Sequence, residues 1–170
     1  LSSLVSKDDS LSEKYIQKLS LIYRYILENK DHDHINLKEE LEFVQDYFYL
    51  QKVRDDGKID LKINIKDPEN YKILPISLQL LVENAFKHNT ATREDPLKIE
   101  INLNEANRTI SISNNLNPKT QINESSKLGL NNLSERSKLI TGREIEILQT
   151  QEDFTVIIPL KDIENEGVNN

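Results

Sequence analysis

The sequence contains no cysteine, no methionine and no tryptophan, and only four of its 170 residues are glycine. Without cysteine the chain has no disulfide framework and no thiolate ligand or nucleophile, which fits a reducing compartment. No apolar run approaches the roughly 18 residues of a membrane-spanning helix, and no signal peptide is visible. Because the chain starts at Leu1 and has no initiator methionine, we expect it to be a piece of a longer protein.

Acidic residues outnumber basic ones, 29 to 22, which gives a formal net charge of −7. This balance argues against a general nucleic-acid binder, which needs a basic face. Any phosphate-bearing ligand must therefore be held by a few well-placed cations and by backbone N–H groups. With 36% apolar and 30% charged residues, the composition is that of one ordinary globular domain with a helical appendage.

The first segment predicts a helix whose packing partner the sequence leaves open. Ser10 to Glu13 reads as a capping box. The apolar stripe that follows, at spacings of four, three and four residues, consists of Tyr15, Leu19, Ile22 and Ile26. Such a stripe is typical either of a seam with a second copy of the chain or of a helix that packs on its own domain. The run from Asp31 to His34 resembles a metal cluster, but four adjacent side chains on one loop cannot all converge, so we interpret it as a linker.

The next segments predict a second helix and a strand. Asn36 to Glu39 forms another capping box, and the helix that it opens ends at the turn of Asp55 to Gly57. The apolar stripe of this helix consists of Leu37, Leu41, Val44 and Phe48. From Ile59 to Lys66, apolar and polar residues alternate strictly, which predicts a strand with one wet face.

The rest of the chain continues this mixture of helices and strands. Further strands are predicted over residues 97–103, 110–114, 144–148 and 154–160, and a helix from Gly129 to Thr141. The polar stretch from Asn114 to Leu128 is long for a compact domain and predicts either a functional loop or a disordered one. The tail from Asp162 onward is expected to be disordered. Five strands with helices on one side predict an α+β two-layer sandwich.

The stretch from Leu78 to Asn89 carries the clearest chemistry. Its apolar residues recur at helical spacing and predict a buried helix face: Leu78, Leu81, Val82 and Ala85. Asn84, Lys87 and His88 fall together on another face of this helix. An amide, an ammonium and an imidazole on one turn suit a metal–phosphate group, although periodicity alone is explained more simply by a solvated polar face.

The residue sequence of this stretch resembles that of a known family. Residues 82–89, Val-Glu-Asn-Ala-Phe-Lys-His-Asn, resemble the N box of the histidine kinase ATP-binding domain. Residues 39–47, Glu-Glu-Leu-Glu-Phe-Val-Gln-Asp-Tyr, are similar to sensor kinases that are paired with LytTR-type response regulators. The resemblance covers nearly the whole chain. It implies a Bergerat-type ATP-binding fold with one or two bundle helices before it, and ATP and Mg²⁺ as cofactors.

The resemblance assigns roles to the polar residues of the N box. Asn84 matches the asparagine that binds the Mg²⁺ bridging the ATP phosphates, and an amide oxygen suits a hard cation. Lys87 and His88 are then placed to contact phosphate. Glu83 is the candidate catalytic residue, which either orders a metal-bound water or is a solvated carboxylate. Among these residues of the N box, Asn89 has the weakest support for a role in ligand binding.

The first glycine motif of the family has a degenerate counterpart here. Family members carry Asp-x-Gly-x-Gly where residues 114–118 read Asn-Asn-Leu-Asn-Pro. Asn114 therefore takes the place of the aspartate that accepts the adenine amino proton, and Leu116 takes the place of a glycine. Hydrogen bonds to charged groups are worth about 1.5–3 kcal/mol, against about 0.5–1.5 kcal/mol for neutral ones. We expect adenine binding roughly tenfold weaker than with aspartate.

The second glycine motif, Gly-x-Gly-Leu-x-Asn before a helix, is matched by residues 126–132. Lys127 stands at the first glycine position and adds either a cation or an unfavourable Cβ. On the resemblance, Gly129 and Leu130 present helix N-terminal N–H groups to phosphate. Asn132 and Arg136 lie one helical turn apart and are placed to reach the phosphates or the lid formed by residues 115–128, although Arg136 is equally explained as a surface cation.

The resemblance implies the cytoplasmic catalytic region of a bacterial, membrane-anchored, two-component sensor histidine kinase. Residues 1–30 are then the end of the dimerisation helices, residues 31–161 the catalytic ATP-binding domain and residues 162–170 a disordered tail. The implied partners are a second copy of the chain, through the N-terminal helices, and a response regulator of the LytTR type. No nucleic acid and no direct membrane contact is expected for this region.

The implied reaction transfers the γ-phosphate of Mg–ATP to a histidine. His32, His34 and His88 do not lie in the phosphoacceptor motif, which is expected on the helix before Leu1. This region should therefore not phosphorylate itself on the expected histidine. The degenerate glycine motifs favour a second hypothesis, a pseudokinase that dimerises and signals by conformation, whereas the intact Asn84 favours the kinase.

Overall fold

The computed structural model describes residues 9–55, 57–119 and 125–163. Within these ranges the chain forms four α-helices and eight strands. The helices are α1 (Asp9–Asn29), α2 (Leu37–Asp55), α3 (Ser77–His88) and α4 (Ser125–Thr141). The strands are β1 (Ile35–Asn36), β2 (Ile59–Asn64), β3 (Tyr71–Ile73), β4 (Leu97–Asn104), β5 (Thr109–Asn115), β6 (Glu146–Gln149), β7 (Asp153–Pro159) and β8 (Lys161–Asp162). In this described part of the chain, no helix is long and apolar enough to cross a bilayer.

Five strands form one mixed sheet in the order β2-β4-β5-β7-β6. Strands β2 and β4 are parallel, because the chain returns through α3 between them, and the other neighbours are antiparallel. Ile59 faces Leu97 across the parallel pair, and Ile112 faces Ile101 and Val156 across the antiparallel pairs. The predicted α+β fold with a five-stranded sheet is confirmed.

The core lies between this sheet and helices α2 and α3. In β4 and β5 buried and more exposed residues mostly alternate, because successive side chains of a strand point to opposite faces. The apolar stripe predicted for α2 and the apolar face predicted for α3 are both buried in this core. Burial of each large aliphatic side chain contributes about 1.5–3 kcal/mol, so this layer carries most of the stability.

A second, three-stranded sheet in the order β1-β3-β8 was not predicted from the sequence. Its strands have two or three residues, which is too short for a period of two to be recognised. Asp162 belongs to β8 and forms an ion pair with Arg108, Nε to Oδ2 at 2.8 Å. The Ile163 amide then donates to the carbonyl of Asn70 at 3.0 Å. The ordered chain therefore extends past the predicted boundary at residue 162, and residues 164–170 of the predicted tail lie outside the described residues.

The predicted stripe of α1 packs on the chain's own second helix. Ile22 of α1 forms a buried cluster with Phe43 and Leu50 of α2, and the other residues of the stripe are half-buried against this cluster. Lys18 forms an ion pair with Asp46 across the same contact. The sequence allowed the stripe to pack either on a second copy of the chain or on its own domain. In this structure it packs on its own domain.

The two predicted helix caps have different outcomes. The Oδ1 of Asn36 accepts a hydrogen bond from the Lys38 amide at 2.8 Å, so the predicted cap at the start of α2 is present. Ser10 lies inside α1, which already includes Asp9, and therefore does not occupy the N-cap position predicted for it. A serine side chain caps a helix only when the serine immediately precedes the first turn, because the N–H groups of that turn have no acceptor within the helix.

Candidate functional site

Helix α3 is the element that positions the candidate site. Its buried residues are Ser77, Leu78, Leu81, Val82 and Ala85. The residue before its first turn, Ile76, has φ 66°, a left-handed conformation that is unfavourable for a β-branched side chain. The Ser77 hydroxyl donates to the carbonyl of Leu74 at 2.7 Å, which helps to fix this turn.

A carboxylate from another helix caps the beginning of α3. The Ile76 amide donates to Oε2 of Glu40 at 3.0 Å, and the Leu78 amide donates to Oε1 at 2.9 Å. The Tyr25 hydroxyl of α1 donates to the same Oε2. Glu40 is 0% exposed, and burial raises its pKa to about 7, against the opposing effect of these hydrogen bonds.

The polar face of α3 holds the predicted magnesium ligand. Asn84 is half-buried, and its Nδ2 is buried with no hydrogen-bond partner in the described part of the chain. A buried polar atom of this kind calls for an explanation, because most such atoms are paired. Glu83 is exposed, and its Oε2 accepts a hydrogen bond from Gln79 Nε2 at 2.6 Å, one turn earlier. Glu83 therefore lies in solvent beside Asn84.

Lys87 and His88 form the last turn of α3, and both are half-buried. Burial lowers the pKa of His88, and the positive charges of Lys87 and Lys119 lower it further. The imidazole is consequently neutral at physiological pH, with one donor and one acceptor nitrogen. The helix dipole favours a cation at a helix C-terminus, so the presence of Lys87 has a structural cause besides any ligand.

Asn89 joins the end of α3 to the segment after β5. Its Nδ2 donates to the carbonyl of Ala85 at 3.0 Å, and its Oδ1 accepts the Asn117 amide at 2.8 Å. Lys119 adds two hydrogen bonds between the same two segments. Its amide donates to the carbonyl of His88, and its Nζ donates to the carbonyl of Phe86, each at 2.9 Å. The residue with the weakest support in the sequence thus has a clear position here, as a buried structural joint.

Asn114 lies near the end of β5, on the face of the strand that also carries Ile110 and Ile112. A polar side chain among these buried positions needs a partner of its own. Its Nδ2 donates to the backbone carbonyl of Asn115 at 2.8 Å, which directs the amide so that the oxygen is the end left to accept a further hydrogen bond. This orientation suits the predicted role of an acceptor.

The second glycine motif lies inside α4 and does not open it. The helix begins at Ser125, four residues before Gly129. Only the first four N–H groups of a helix lack intrahelical acceptors, so the amides of Gly129 and Leu130 are not presented to a ligand in this structure. A Cβ on Gly129 would lie 3.4 Å from Cδ1 of Leu80, so α4 lies close to α3 at this position. Lys127 is in the first turn of α4, and its side chain lies outside the described part.

Arg136 is used differently from its prediction. Its Nη2 donates to the carbonyl of His32 at 2.7 Å, so it ties α4 to the linker after α1. Asn132, one turn earlier, is exposed. In the described ranges, no group of three or more acidic, histidine or cysteine side chains could hold a metal ion. Residues 31–34 lie in the connection between α1 and β1.

The structure brings together Asn84, Lys87 and His88 on one helix, with the segment after β5 tied to its end. Two residues of this region were missed by sequence reasoning. Lys119 carries no local signal. Glu40 does, because it lies three residues after Leu37 and so falls within the apolar stripe of α2, where an acid is unexpected.

Comparisons with known proteins agree with this architecture. A histidine kinase family model matches residues 1–59. Sensor protein kinase HptS of Staphylococcus aureus, strains USA300 and NCTC 8325, is 29% identical over 113 residues, which cover 66% of this chain. The chain spans 22% of the length of these relatives.

Two solved structures of the catalytic domain of histidine kinase ThkA, both free of nucleotide, share the fold. They superpose with TM-scores of 0.51 at 17% and 16% identity, and cover 74% of this chain and 93% and 95% of the ThkA domain. The family model covers the beginning of the chain, and the ThkA domain covers three-quarters of it. Together, the family model, the sequence relatives and the shared fold support the interpretation of this chain as a sensor histidine kinase ATP-binding domain.

Proposed function

We propose that this chain binds Mg–ATP on α3 and, within a longer sensor kinase, presents the γ-phosphate to a histidine on another segment. The observation that carries the proposal is the Asn84 amide, whose nitrogen is buried and has no partner in the described part of the chain. A buried polar atom without a partner calls for an explanation, and a bound ligand supplies one. Since no described residue fixes this end of the amide, a ligand is able to set its orientation.

The residues on α3 fit a magnesium–phosphate group. Mg²⁺ takes oxygen ligands and usually keeps several waters, so a single amide oxygen beside phosphate oxygens is a sufficient protein contribution. When bound, the ion neutralises charge on the phosphate oxygens. Glu83 is exposed next to Asn84 and is the acid available to order a water molecule there.

The chain's own cations and amides perform the positioning. Lys87 supplies a charge in the last turn of α3, and the neutral imidazole of His88 supplies an N–H donor. Asn114 accepts the adenine amino proton through the oxygen that its bond to Asn115 leaves available. Because Asn114 is neutral where relatives carry aspartate, the affinity for adenine is about tenfold below that of an aspartate site.

Calorimetric titration with a non-hydrolysable ATP analogue, with and without Mg²⁺, tests the proposal. The wild-type chain should bind in a magnesium-dependent way, and Asn84→Ala should abolish that dependence. Asn107→Ala removes the same side chain from the exposed turn between β4 and β5 and should bind like the wild type. Binding that is unchanged in Asn84→Ala would remove Asn84 from the site.

The second candidate is a pseudokinase that signals by conformation alone. The observation in its favour is the start of α4 at Ser125, which leaves Gly129 and Leu130 inside the helix, together with the replaced glycine at Leu116. The same titration separates the two candidates. A chain that unfolds cooperatively but neither releases heat nor gains thermal stability with Mg–nucleotide would be the pseudokinase.

A homodimer through α1 belongs to the proposal, with a contact face different from the predicted stripe. The stripe packs on α2, whereas Ile16, Tyr23 and Leu27 lie on the other side of α1 and are 54%, 62% and 68% exposed. Their spacing of seven and four residues is that of a helix–helix seam. Leu27→Lys should shift the chain from dimer to monomer in light scattering, while Leu139→Lys on α4, where the leucine is 86% exposed, should not.

The remaining roles concern the intact protein. The curated relatives are named sensor protein kinases, and the chain spans 22% of their length. We propose that the intact protein is anchored in a bacterial membrane with this region in the cytoplasm, and that a response regulator, of the LytTR type, accepts the phosphoryl group on aspartate. Incubating the intact protein with labelled ATP and the regulator should move the label from a histidine of the kinase to the regulator.

A further inference from the structure

Glu40 is a fully buried carboxylate that the apolar core does not explain. It lies on α2 among the stripe residues Leu37, Leu41 and Val44, and it is 0% exposed. Placing a carboxylate there opposes folding unless its oxygens are hydrogen-bonded. Its contacts therefore account for its presence at this position.

These contacts fix the beginning of the helix that carries the proposed nucleotide site. The amides of Ile76 and Leu78 donate to the two oxygens of Glu40, at 3.0 and 2.9 Å. A helix N-terminus is usually capped by the residue before it, but Ile76 is apolar and cannot do so. Glu40 takes over this function from another helix and also holds Ile76 in its left-handed conformation.

Tyr25 connects the same carboxylate to the N-terminal helix. Its hydroxyl donates to Oε2 of Glu40, and its ring stacks on Phe43 with the centroids 4.0 Å apart. Burial and the charge of Glu40 raise the pKa of Tyr25, so the phenol stays protonated and acts as the donor. One carboxylate oxygen is thus shared between α1 and the first amide of α3.

Building on the proposed nucleotide site, we propose that Glu40 is a positioning residue for that site and that the Tyr25 hydroxyl makes its hold on α3 depend on the placement of α1. Asn84 lies about two turns beyond the amides that Glu40 binds, on the same rigid helix. A displacement of α1 that breaks the Tyr25 bond removes one donor from the carboxylate. The carboxylate is then less able to stay ionised and to accept both amides.

The protonation of Glu40 is the step through which this loss acts. The groups facing the carboxyl are the Tyr25 hydroxyl from α1 and the amides at the beginning of α3, and Glu39 is the further acid near Tyr25. The Tyr25 hydrogen bond lowers the pKa of Glu40, so its removal raises that pKa and more of the carboxyl is protonated near neutrality. A protonated carboxyl has fewer acceptor sites for the amides of α3.

The test compares two tyrosine variants of α1 in calorimetric titrations with Mg²⁺ and a non-hydrolysable ATP analogue between pH 6 and pH 8.5. Tyr25→Phe keeps the ring stack on Phe43 and removes only the hydroxyl. Tyr15→Phe removes the same group from a half-buried tyrosine elsewhere on α1 and is the matched control. We expect Tyr25→Phe to weaken binding about three- to tenfold at pH 7, with the affinity recovering toward pH 8.5, and Tyr15→Phe to match the wild type.

The amide signals of Ile76 and Leu78 in ¹⁵N-edited NMR give a readout that does not involve nucleotide. They should shift with pH as Glu40 titrates, with a higher midpoint in Tyr25→Phe and no titration in Glu40→Gln. A Tyr25→Phe chain that is less stable but binds like the wild type at every pH overturns this inference and leaves the proposed function intact. Absence of binding by the wild-type chain overturns the proposed function and this inference with it.

Discussion

The two ends of α3 are constructed in opposite ways. At the first turn, the amides of Ile76 and Leu78 are bonded to a carboxylate that is fully buried. At the last turns, Asn84 and His88 are half-buried, and one atom of the Asn84 amide has no partner in the described part of the chain. The first end satisfies these polar groups within the fold, whereas at the other end the Asn84 nitrogen has no hydrogen-bond partner among the described residues. A helix fixed at one end presents the other in a single position, which lowers the ordering cost of binding.

The largest effect on stability is expected from Glu40→Ala. The variant leaves the amides of Ile76 and Leu78 without an acceptor, and each unsatisfied buried donor costs about 1–3 kcal/mol. At pH 6 we expect the free energy of unfolding to fall by about 3 kcal/mol, measured by urea denaturation. Glu42→Ala, an exposed acid on the same helix, should change it by less than about 0.5 kcal/mol. Equal, small losses in both variants would mean that water replaces Glu40 at this end of α3.

The pH dependence of stability sharpens the same contrast. Burial raises the pKa of Glu40 from 4.5 to about 7, so between these values the folded chain holds a proton that the unfolded chain has released. Stability therefore falls as the pH rises through this window, by about 3 kcal/mol in total, since one pKa unit corresponds to about 1.4 kcal/mol. Glu40→Gln cannot titrate, so its unfolding free energy should lack this component between pH 5 and pH 8.

Stability and nucleotide affinity should then respond to pH in opposite directions. Protonation of Glu40 relieves the burial of a charge and stabilises the fold, but it removes acceptors from the amides of α3. Between pH 8 and pH 6 the wild-type chain should become harder to unfold and bind Mg–nucleotide less tightly. Parallel changes in both quantities, or the same pH profile in Glu40→Gln, would contradict this assignment.

A smaller loss of stability is expected from Asn89→Ala, at the C-terminal end of α3. The variant removes the hydrogen bonds to the Ala85 carbonyl and from the Asn117 amide, so the free energy of unfolding should fall by about 1–2 kcal/mol. Urea denaturation beside the exposed Asn107→Ala measures this difference. Nucleotide affinity should fall as well, because the segment after β5 is held against α3 through Asn89. A loss as large as that of Glu40→Ala would mean that both ends of α3 are fixed equally.

The sequence predicted the elements whose signal is local. The stripe of α2, the buried face of α3 and the alternating strands follow from side-chain periodicity, and the structure buries these residues as expected. The stripe of α1 was equally well recognised, but its spacing is the same whether the partner is a second chain or α2. A pattern within one helix identifies a face that will be covered, and the helix that covers it is set by the rest of the fold.

Two parts of the site depended on contacts that lie far apart in the chain. Glu40 stands out in the sequence as an acid inside an apolar stripe, but its partners Tyr25 and Ile76 are 15 and 36 residues away. The helix α4 was predicted to begin at Gly129 from the spacing of its apolar residues, whereas it begins at Ser125. Local pattern therefore predicted where the proposed ligand face is, and tertiary contacts determine what holds that face in place.

The smallest effect on stability is expected from Asn84→Ala. A nearly unchanged free energy of unfolding in this variant is the sharpest test of the difference between the two ends of α3. The Asn84 Nδ2 makes no hydrogen bond in the described part of the chain, so the variant breaks no hydrogen bond of this atom and should change the free energy of unfolding by less than about 0.5 kcal/mol. Thermal unfolding with Mg²⁺ and the ATP analogue should raise the Tm of the wild type and leave that of Asn84→Ala unchanged. If the variant instead lost more than about 1 kcal/mol without ligand, Asn84 would hold the fold together as Glu40 does. The two ends of α3 would then perform one task, and the half-buried end would no longer point to a ligand.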